Sequence, residues 1–295
     1  MTEGEYLSEI TLKAPAKLNL TLDVTGRRGD GYHLLEMVMQ AVELHDTITV
    51  AEAQGEKINI TCKSPKVPCD ENNLCYKAAR HFFENVGVKA RGLNINIEKN
   101  IPTEAGMAGG SSDAAAVLIA LNELCCTGLT VQRLCQIGVS VGADVPFCIV
   151  GGTALCVGIG EIITPLAPLC NCNIVVAKPK IGMKTPHCFA LYDSAVITKR
   201  PNAQAVKAAI AKADLQAVAQ NLCNVLEEAA AISEVQKLKA VLLHDGALGA
   251  LMTGSGTAVF GIFDDAEKAA ACAQGLKAVC DEVFVTTPIA RGVHK

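Results

Sequence analysis

The segment from Ile101 to Leu124 combines small residues with a helix start, a pattern that suits phosphate binding. Its sequence is IPTEAGMAGGSSDAAAVLIALNEL, with Gly109 and Gly110 directly before Ser111 and Ser112. Either serine can act as the N-cap, accepting a hydrogen bond from a free N–H group of the first turn. The other free N–H groups and the helix dipole attract an anion. The segment therefore predicts a polyphosphate site; the alternative is a flexible loop entering an ordinary helix.

Two common nucleotide motifs do not fit this segment. A Walker loop requires Gly-Lys-Ser/Thr at its end, and no lysine follows these glycines. A dinucleotide fingerprint requires G-x-G-x-x-G after a strand, which Gly106, Gly109 and Gly110 do not match. If the loop binds phosphate, its arrangement differs from that of both motifs.

Lys17, Asn19 and Asp144 could act on a phosphoryl acceptor. Strict alternation from residue 17 places Lys17 and Asn19 on one face of a strand. Asp144 follows a predicted helix in apolar surroundings, where a carboxylate needs a cation or a donor. With Lys17 as its partner, Asp144 could accept a hydroxyl proton during phosphoryl transfer. The alternatives are a solvated strand face for Lys17 and Asn19, and an Asx-turn before Pro146 for Asp144.

Two further stretches offer ligand contacts. Tyr32 and His33 follow a glycine-rich turn, and a tyrosine ring can stack on a nucleobase. The alternative is ordinary packing with a surface imidazole. The glycines of the segment 253–257, TGSGT, could bring backbone N–H groups to a ligand; the alternative there is a tight hairpin.

Composition narrows the class of protein. Of 295 residues, 50% are hydrophobic and 19% charged, which argues against disorder, and the net charge of −4 argues against nucleic acid as a main partner. The N-terminal MTEGEYLSEITLK lacks an apolar signal region, and no apolar run reaches the ~18 residues of a membrane span. The 14 cysteines lie within apolar patterns without zinc spacing. We therefore expect a cytoplasmic protein with reduced cysteines, no bound structural metal and no membrane contact.

Hydrophobic patterns predict a mixed chain. Residues 10–24 form a strand pair or one strand bent at Pro15, and residues 56–61 and 93–98 are strands that flank a helix. A helix over 111–124 and a second one ending near Gly142 follow, then a buried strand after Pro146 and a hairpin. Pro165 and Pro168 mark a domain boundary. Beyond them, two α/β units with paired strands predict a ferredoxin-like layer.

Together these stretches resemble the GHMP kinase superfamily. Its members combine an A-P-A-K-x-N-L strand, a P-x-x-x-G-L-G-G-S-S loop and a C-terminal glycine turn, and all three occur here in that order. The resemblance implies an α+β, two-domain fold, with a GHMP kinase N-terminal domain at residues 1–168 and a ferredoxin-like C-terminal domain at 169–295. It also implies an ATP-dependent kinase that phosphorylates a small alcohol.

The resemblance assigns roles to matching positions. Lys17 and Asp144 would be the catalytic pair, and Asn73 and Lys99 would lie beside the adenosine. The ATP phosphates would be held by Pro102, Thr103, Glu104, Ala105, Gly106, Met107, Ala108, Gly109, Gly110, Ser111 and Ser112. Mg²⁺ is expected with ATP, with Ser111 or Ser112 as a ligand.

Within the superfamily, TGRRGDGYHLLEMVMQAVELHDTI and VGADVPF resemble the members that act on a cytidine diphosphate-linked methylerythritol in non-mevalonate isoprenoid synthesis. Tyr32, His33 and Phe189 would then hold the cytosine, and Asn19 would lie close to the methylerythritol. Another GHMP kinase, of the homoserine or mevalonate type, and a non-catalytic nucleotide-binding module remain alternatives. A monomer and a homodimer both remain open.

Three residues depart from the superfamily pattern. Met107 replaces the usual leucine, which conserves volume. Ala108 replaces a glycine, so we expect a negative φ there. Glu104 adds a negative charge to the loop, and we expect its carboxylate to point away from the phosphates.

Overall fold

The computed structural model describes residues 8–169 and 171–295. Residues 1–7 of the acidic N-terminal stretch and Cys170 of the close Cys170/Cys172 pair lie outside the described residues. The strands are β1 Glu9–Arg27, β2 His33–Ala53, β3 Ile58–Cys62, β4 Gly92–Glu98, β5 Thr153–Gly158, β6 Ile162–Pro165, β7 Asn173–Lys178, β8 Cys223–Asn224, β9 Gly249–Met252, β10 Val259–Phe263 and β11 Glu282–Thr286. The helices are α1 Leu74–Val86, α2 Gly109–Leu124, α3 Val131–Val141, α4 Val145–Val150, α5 Thr185–Ser194, α6 Ala203–Ala211, α7 Leu215–Gln220, α8 Val225–Ala230, α9 Ser233–His244 and α10 Ala266–Leu276.

The described strands form two sheets. The seven-stranded sheet has the order β3-β4-β2-β1-β8, and β5 pairs with β2 and β6. The four-stranded sheet has the order β11-β7-β10-β9, and its neighbouring strands are antiparallel. With helices between β7 and β9 and between β10 and β11, this is the ferredoxin-like arrangement predicted for the C-terminal half. The α+β fold class is confirmed.

β1 is one long strand rather than a pair of strands. Its pairing with β2 shifts register between Pro15 and Lys17, and again between Asn19 and Thr21. Proline has no N–H group to donate, and such shifts re-aim the side chains that follow. Lys17 and Asn19 lie between the two shifts and are buried. The alternative of a solvated strand face is therefore wrong.

Two local predictions differ from the structure. The sequence predicts a buried strand after Pro146, but the segment forms the short helix α4. Periodicity cannot separate a buried strand from a helix in so short an apolar run, and proline is well tolerated in a first helical turn. Helix α2 begins at Gly109 with Ala108 as its N-cap, so neither Ser111 nor Ser112 is the cap.

The predicted boundary near Pro168 stays a prediction, and several contacts cross it. β8 pairs with β1 in the larger sheet, and residues beyond β11 form bridges from Pro288 to Val42 and from His294 to Lys13. The two halves therefore share backbone hydrogen bonds. In the part of the chain that the structure describes, no helix is both long and apolar enough to cross a bilayer.

Candidate active site

A cavity of about 1000 Å³ lies where the two halves meet. Its walls come from the β1–β2 turn, the loop before α1, the loop before α2, the α3–α4 connection, α5 and the β9–β10 turn. The predicted site residues that line it are Lys17, Tyr32, His33, Asn73, Lys99, Asp144, Phe189 and residues 102–111. The structure thus brings together residues from most of the chain. Asn19 and Ser112 are fully buried beside it rather than in its wall.

The loop before α2, residues 101–108, turns sharply to reach the helix. Gly106 and Ala108 have φ values of 72° and 57°. The negative φ expected for Ala108 is therefore wrong: it keeps the left-handed backbone of a glycine, at a cost of roughly 1–2 kcal/mol for an L-residue. This turn exposes the first residues of α2, Gly109 and Gly110, to the cavity. The N–H groups of a first helical turn have no partner within the helix, so the start of α2 is a candidate anion site.

Ser111 and Ser112 have different surroundings. Ser111 lines the cavity. Ser112 is fully buried, and its hydroxyl donates a hydrogen bond to the Pro15 carbonyl at 2.8 Å. The Ser112 hydroxyl is therefore committed to holding α2 against β1, two residues from Lys17.

Lys17 and Asp144 face each other in the cavity. Lys17 Nζ lies 4.0 Å from Asp144 Oδ2, and the Asp144 side chain is 32% exposed. Asn19 Oδ1 accepts a hydrogen bond from Lys17 Nζ at 2.6 Å. An ammonium this close to the carboxylate can stabilise phosphoryl charge. Asn19 holds that ammonium in place.

Lys99 lies between two buried carboxylates that sequence reasoning missed. Its Nζ donates to Asp46 and, at 2.8 Å, to Asp113. Burial lowers the pKa of Lys99, but the two carboxylates outweigh burial and raise it. Burial raises the pKa of Asp113 well above its usual value, against the lowering effect of Lys99. A Cβ on Gly109 would lie only 2.8 Å from Lys99 Nζ, so a larger residue at the start of α2 would force this ammonium to shift.

Asn73 is the N-cap of α1 as well as a cavity residue. Its Oδ1 accepts from the Cys75 N–H at 2.8 Å, and its Nδ2 donates to the Pro68 carbonyl at 2.6 Å. Both ends of the amide are thus used to shape the loop before α1. An aspartate in a largely apolar segment was the available sequence signal for Asp46 and Asp113, but it does not identify the partner.

Two of the three predicted base-binding residues, His33 and Phe189, are in contact at α5. The rings of His33 and Phe189 are stacked, with centroids 4.6 Å apart and planes at 16°. Tyr32 is 59% exposed, and the Arg28 guanidinium lies 5.3 Å from its ring centroid. Asp193, which the sequence did not single out, contacts His33 Nε2 at 2.7 Å.

The glycine turn between β9 and β10 packs directly on the loop before α2. The Ala258 N–H donates to the Ala105 carbonyl at 3.2 Å, and Thr253 Oγ1 accepts from the Asn19 N–H at 3.0 Å. A Cβ on Gly254 would lie 2.6 Å from the Gly106 carbonyl oxygen. The glycines therefore allow the two loops to approach, and Gly254, Ser255 and Gly256 also line the cavity.

The carboxylate of Glu104 packs against Gly182, in the loop between β7 and α5. Its backbone carbonyl accepts from the Thr257 N–H at 3.2 Å. Glu104 thus ties the loop before α2 to both the glycine turn and the segment that leads into α5.

Comparison with known families supports the class that this fold and site define. The model of the GHMP kinases N terminal domain matches residues 73–152, and that of the GHMP kinases C terminal domain matches residues 206–282. A homoserine kinase from Cytophaga hutchinsonii, 19% identical, has the same fold, with a TM-score of 0.78 over 100% of this chain and 99% of its own. The protein has the fold of a GHMP kinase.

More similar relatives define the family. The 4-diphosphocytidyl-2-C-methyl-D-erythritol kinase of Caldicellulosiruptor bescii is 45% identical over 94% of this chain and 97% of its own. That of Clostridium novyi is 44% identical over 94% and 99%. A crystal structure of a 4-(cytidine 5'-diphospho)-2C-methyl-D-erythritol kinase is 31% identical, with a TM-score of 0.78 over 95% of this chain and 99% of its own. The chain belongs to the family of 4-diphosphocytidyl-2-C-methyl-D-erythritol kinases.

Proposed function

We propose that the protein transfers the γ-phosphoryl group of ATP to the 2-hydroxyl of 4-diphosphocytidyl-2-C-methyl-D-erythritol. The observation that carries the proposal is the placement of Lys17 and Asp144, 4.0 Å apart, in the same cavity as the free N-terminus of α2. Family membership supports the choice of acceptor. We further propose that the enzyme works in the cytoplasm.

ATP would lie with its phosphates on residues 102–111. The N–H groups at the start of α2 would donate to phosphate oxygens, and the positive end of the helix dipole would face them. Asn73 and Lys99 would border the adenosine. Asn73 would shape the loop before α1, and Lys99 would lie next to Gly109 at the start of α2. Since Ser112 is fully buried against Pro15, we assign it a supporting role and not a phosphate contact through its hydroxyl.

Mg²⁺ would neutralise charge on the β- and γ-phosphates. Of the two serines, Ser111 is the one that lines the cavity, so its hydroxyl oxygen would be the ligand. The Ser112 hydroxyl is already used by Pro15.

Asp144 would accept the proton of the acceptor hydroxyl as the γ-phosphoryl group is transferred. Lys17 would orient Asp144 and balance the charge of the transferring group. Asn19 would act through Lys17, because its side chain is fully buried and bonded to that ammonium. Tyr32, His33 and Phe189 would hold the cytosine ring at the other end of the cavity. Most of the rate enhancement would come from positioning and electrostatics.

The acceptor is tested by measuring ADP release with 4-diphosphocytidyl-2-C-methyl-D-erythritol, homoserine and mevalonate. We expect the cytidine-bearing alcohol to give by far the highest kcat/KM. A clear preference for homoserine or mevalonate would overturn the proposed substrate and leave a GHMP kinase of another type.

The catalytic pair is tested with Lys17→Ala and Asp144→Ala. We expect each to lower kcat at least ~10²-fold, the usual scale for groups that move or stabilise a proton. Lys295→Ala is the control, since it removes an exposed ammonium that pairs with Glu123. If any measured phosphoryl transfer were the same in both cavity variants as in the wild type, it would not depend on this pair, and a module that binds nucleotide without catalysis would be favoured.

A further inference from the structure

His33 is held on three sides by one face of α5. Phe189, Tyr192 and Asp193 are spaced i, i+3 and i+4, so their side chains lie on the same side of the helix. Phe189 stacks on the imidazole, and the Tyr192 ring meets it edge-on at 6.1 Å and 89°. Asp193 Oδ1 lies 2.7 Å from His33 Nε2. The position and the rotation of the ring are therefore both fixed.

Asp193 also fixes which ring nitrogen carries the proton. The hydrogen bond from His33 holds the pKa of Asp193 below its usual value, and Arg27, whose Nη1 lies 3.7 Å from Asp193 Oδ2, favours the same ionised form. An ionised carboxylate can only accept hydrogen bonds, so Nε2 must be the donor. In a neutral imidazole, Nδ1 then carries a lone pair and is an acceptor.

Nδ1 is the atom of this ring that remains for a ligand. It makes no hydrogen bond within residues 8–169 and 171–295, and it is not among the described side-chain atoms that are buried without a partner. His33 lines the cavity together with Tyr32, Phe189 and Asp193. An acceptor of fixed direction therefore borders the part of the cavity with the aromatic rings.

We propose that Asp193 is a specificity-determining residue that fixes the His33 tautomer, so that His33 Nδ1 accepts a hydrogen bond from the exocyclic amine of the acceptor's cytosine. This inference rests on the proposed function, because it needs a pyrimidine at this end of the cavity. Cytosine presents an amine where uracil presents a carbonyl oxygen. A uracil would place its oxygen against the Nδ1 lone pair, and a site built to bond an N–H group rejects a ligand that lacks it.

The first measurement is the ratio of kcat/KM for the cytidine-bearing acceptor to that for its uridine analogue. Asp193→Asn keeps the size of the side chain, but its amide can either accept from Nε2 or donate to it. It therefore no longer selects one tautomer. We expect the ratio to fall at least about tenfold, equivalent to about 1.4 kcal/mol, through KM for the cytidine acceptor and with kcat changed less than about threefold.

Asp245→Asn is the matched control. Asp245 makes the same kind of contact, with His244 Nδ1 at 2.9 Å, but it lies outside the cavity wall. This variant should keep the wild-type ratio. A ratio in Asp193→Asn that equals that of the wild type and of Asp245→Asn would overturn the inference.

The second measurement is the tautomer itself, from nitrogen-15 NMR shifts of labelled histidine, with His33→Gln to assign the signal. We expect the proton of the neutral wild-type His33 ring to lie on Nε2, and the neutral ring in Asp193→Asn to show a mixture of tautomers. If Asp193 had only a structural role, a variant that remains folded would not show this change of tautomer. A wild-type ring protonated at Nδ1 would overturn the inference.

The two measurements also separate this inference from the proposed function. If the protein phosphorylates neither pyrimidine-bearing acceptor, the proposed function fails. If it phosphorylates the cytidine acceptor but Asp193→Asn discriminates as well as the wild type, only the role of Asp193 fails.

Discussion

Asp113 shows how one buried residue sets a balance of charge beneath the proposed nucleotide site. With Asp46 and Lys99 it forms a group of two carboxylates and one ammonium that are almost fully buried. Asp46 accepts further hydrogen bonds from the Asn100 and Ile101 N–H groups, at 2.6 and 2.8 Å. Asp113 Oδ1, by contrast, has no hydrogen-bond partner among the described residues. A second full negative charge is therefore poorly compensated, and burial raises the pKa of Asp113 well above its usual value.

This balance predicts a pH-dependent effect of Asp113→Asn on stability. Because the folded pKa of Asp113 is raised above its unfolded value, its protonated form stabilises the fold fully below about pH 4. That contribution is lost as the pH rises through the folded pKa. Asparagine cannot ionise, so the variant does not lose this contribution. The free energy of unfolding of Asp113→Asn should therefore rise relative to that of the wild type between pH 5 and pH 8, by at most about 1.4 kcal/mol per pH unit.

Urea unfolding at pH 5, 6.5 and 8 measures this difference. Asp264→Asn, at an exposed carboxylate, is the control and should follow the wild type at each pH. A difference between Asp113→Asn and the wild type that stays constant over this range would show that Asp113 titrates alike in the folded and unfolded chain.

At the scale of elements, the site depends on two loops from different halves of the chain that lie in contact. The glycine turn donates backbone hydrogen bonds from Thr257 and Ala258 to the loop before α2. Gly254, with a φ of 56°, lies so close that a Cβ would be 2.6 Å from the Gly106 carbonyl oxygen and 3.1 Å from Lys17 Nζ. The turn therefore helps to place both the anion site and the proposed catalytic ammonium.

Gly254→Ala should consequently lower kcat by more than its loss of stability accounts for. The methyl group must displace either the Gly106 carbonyl or Lys17, and a misplacement of about 1 Å can cost on the order of 10²-fold in rate. We expect kcat to fall at least about tenfold. Gly246→Ala is the matched control, because Gly246 also has a positive φ, 98°, but its Cβ would meet only the flexible Lys268 side chain, at 3.4 Å.

Both variants lose roughly 1 kcal/mol or more of stability, because alanine is strained at a positive φ. Their kcat values and their urea unfolding curves separate the two effects. Equal kcat values for Gly254→Ala and Gly246→Ala, at a temperature where both are folded, would show that the turn does not position Lys17.

The same scale shows what the sequence could and could not predict. The glycines before α2 and the Lys17 strand are local patterns with a direct physical meaning, and the structure places both at one cavity. The sequence places the N-cap of α2 three or four residues too late because Ser111 and Ser112 are good caps in general, whereas Ala108 adopts a backbone that its type disfavours. Asp193 gave no local signal, since its contact with His33 joins residues 160 apart in sequence.

At the scale of the whole molecule, the C-terminal segment closes the fold on its N-terminal half. After β11 the chain returns along β2, where the Ile289 N–H donates to the Ala41 carbonyl at 2.9 Å. It then passes α4, where the Val293 N–H donates to the Cys148 carbonyl at 3.0 Å, and reaches β1 through a pair of bonds between His294 and Lys13. A Cβ on Gly292 would lie 2.4 Å from the Cys148 carbonyl oxygen, so backbone packs directly on backbone here.

We therefore expect residues 288–295, which belong to the C-terminal half in sequence, to stabilise the N-terminal half of the protein. Their removal would leave β1, β2 and α4 with backbone groups that have lost their partners. The hydrogen bonds lost involve Ala41, Cys148 and Lys13, and at about 1 kcal/mol each they amount to roughly 4 kcal/mol. For a chain of this size, that corresponds to a fall of about 10 °C in the unfolding midpoint.

Differential scanning calorimetry of the chain ending at Thr287 tests this prediction, with deletion of Lys295 alone as the control. Lys295 makes an exposed pair with Glu123, so its loss should leave the midpoint nearly unchanged. Because β8 and the C-terminal segment both join the larger sheet, we expect the intact protein to unfold in one transition. Two transitions, with the truncation affecting only the later part of the chain, would show that the two halves unfold independently despite these shared hydrogen bonds.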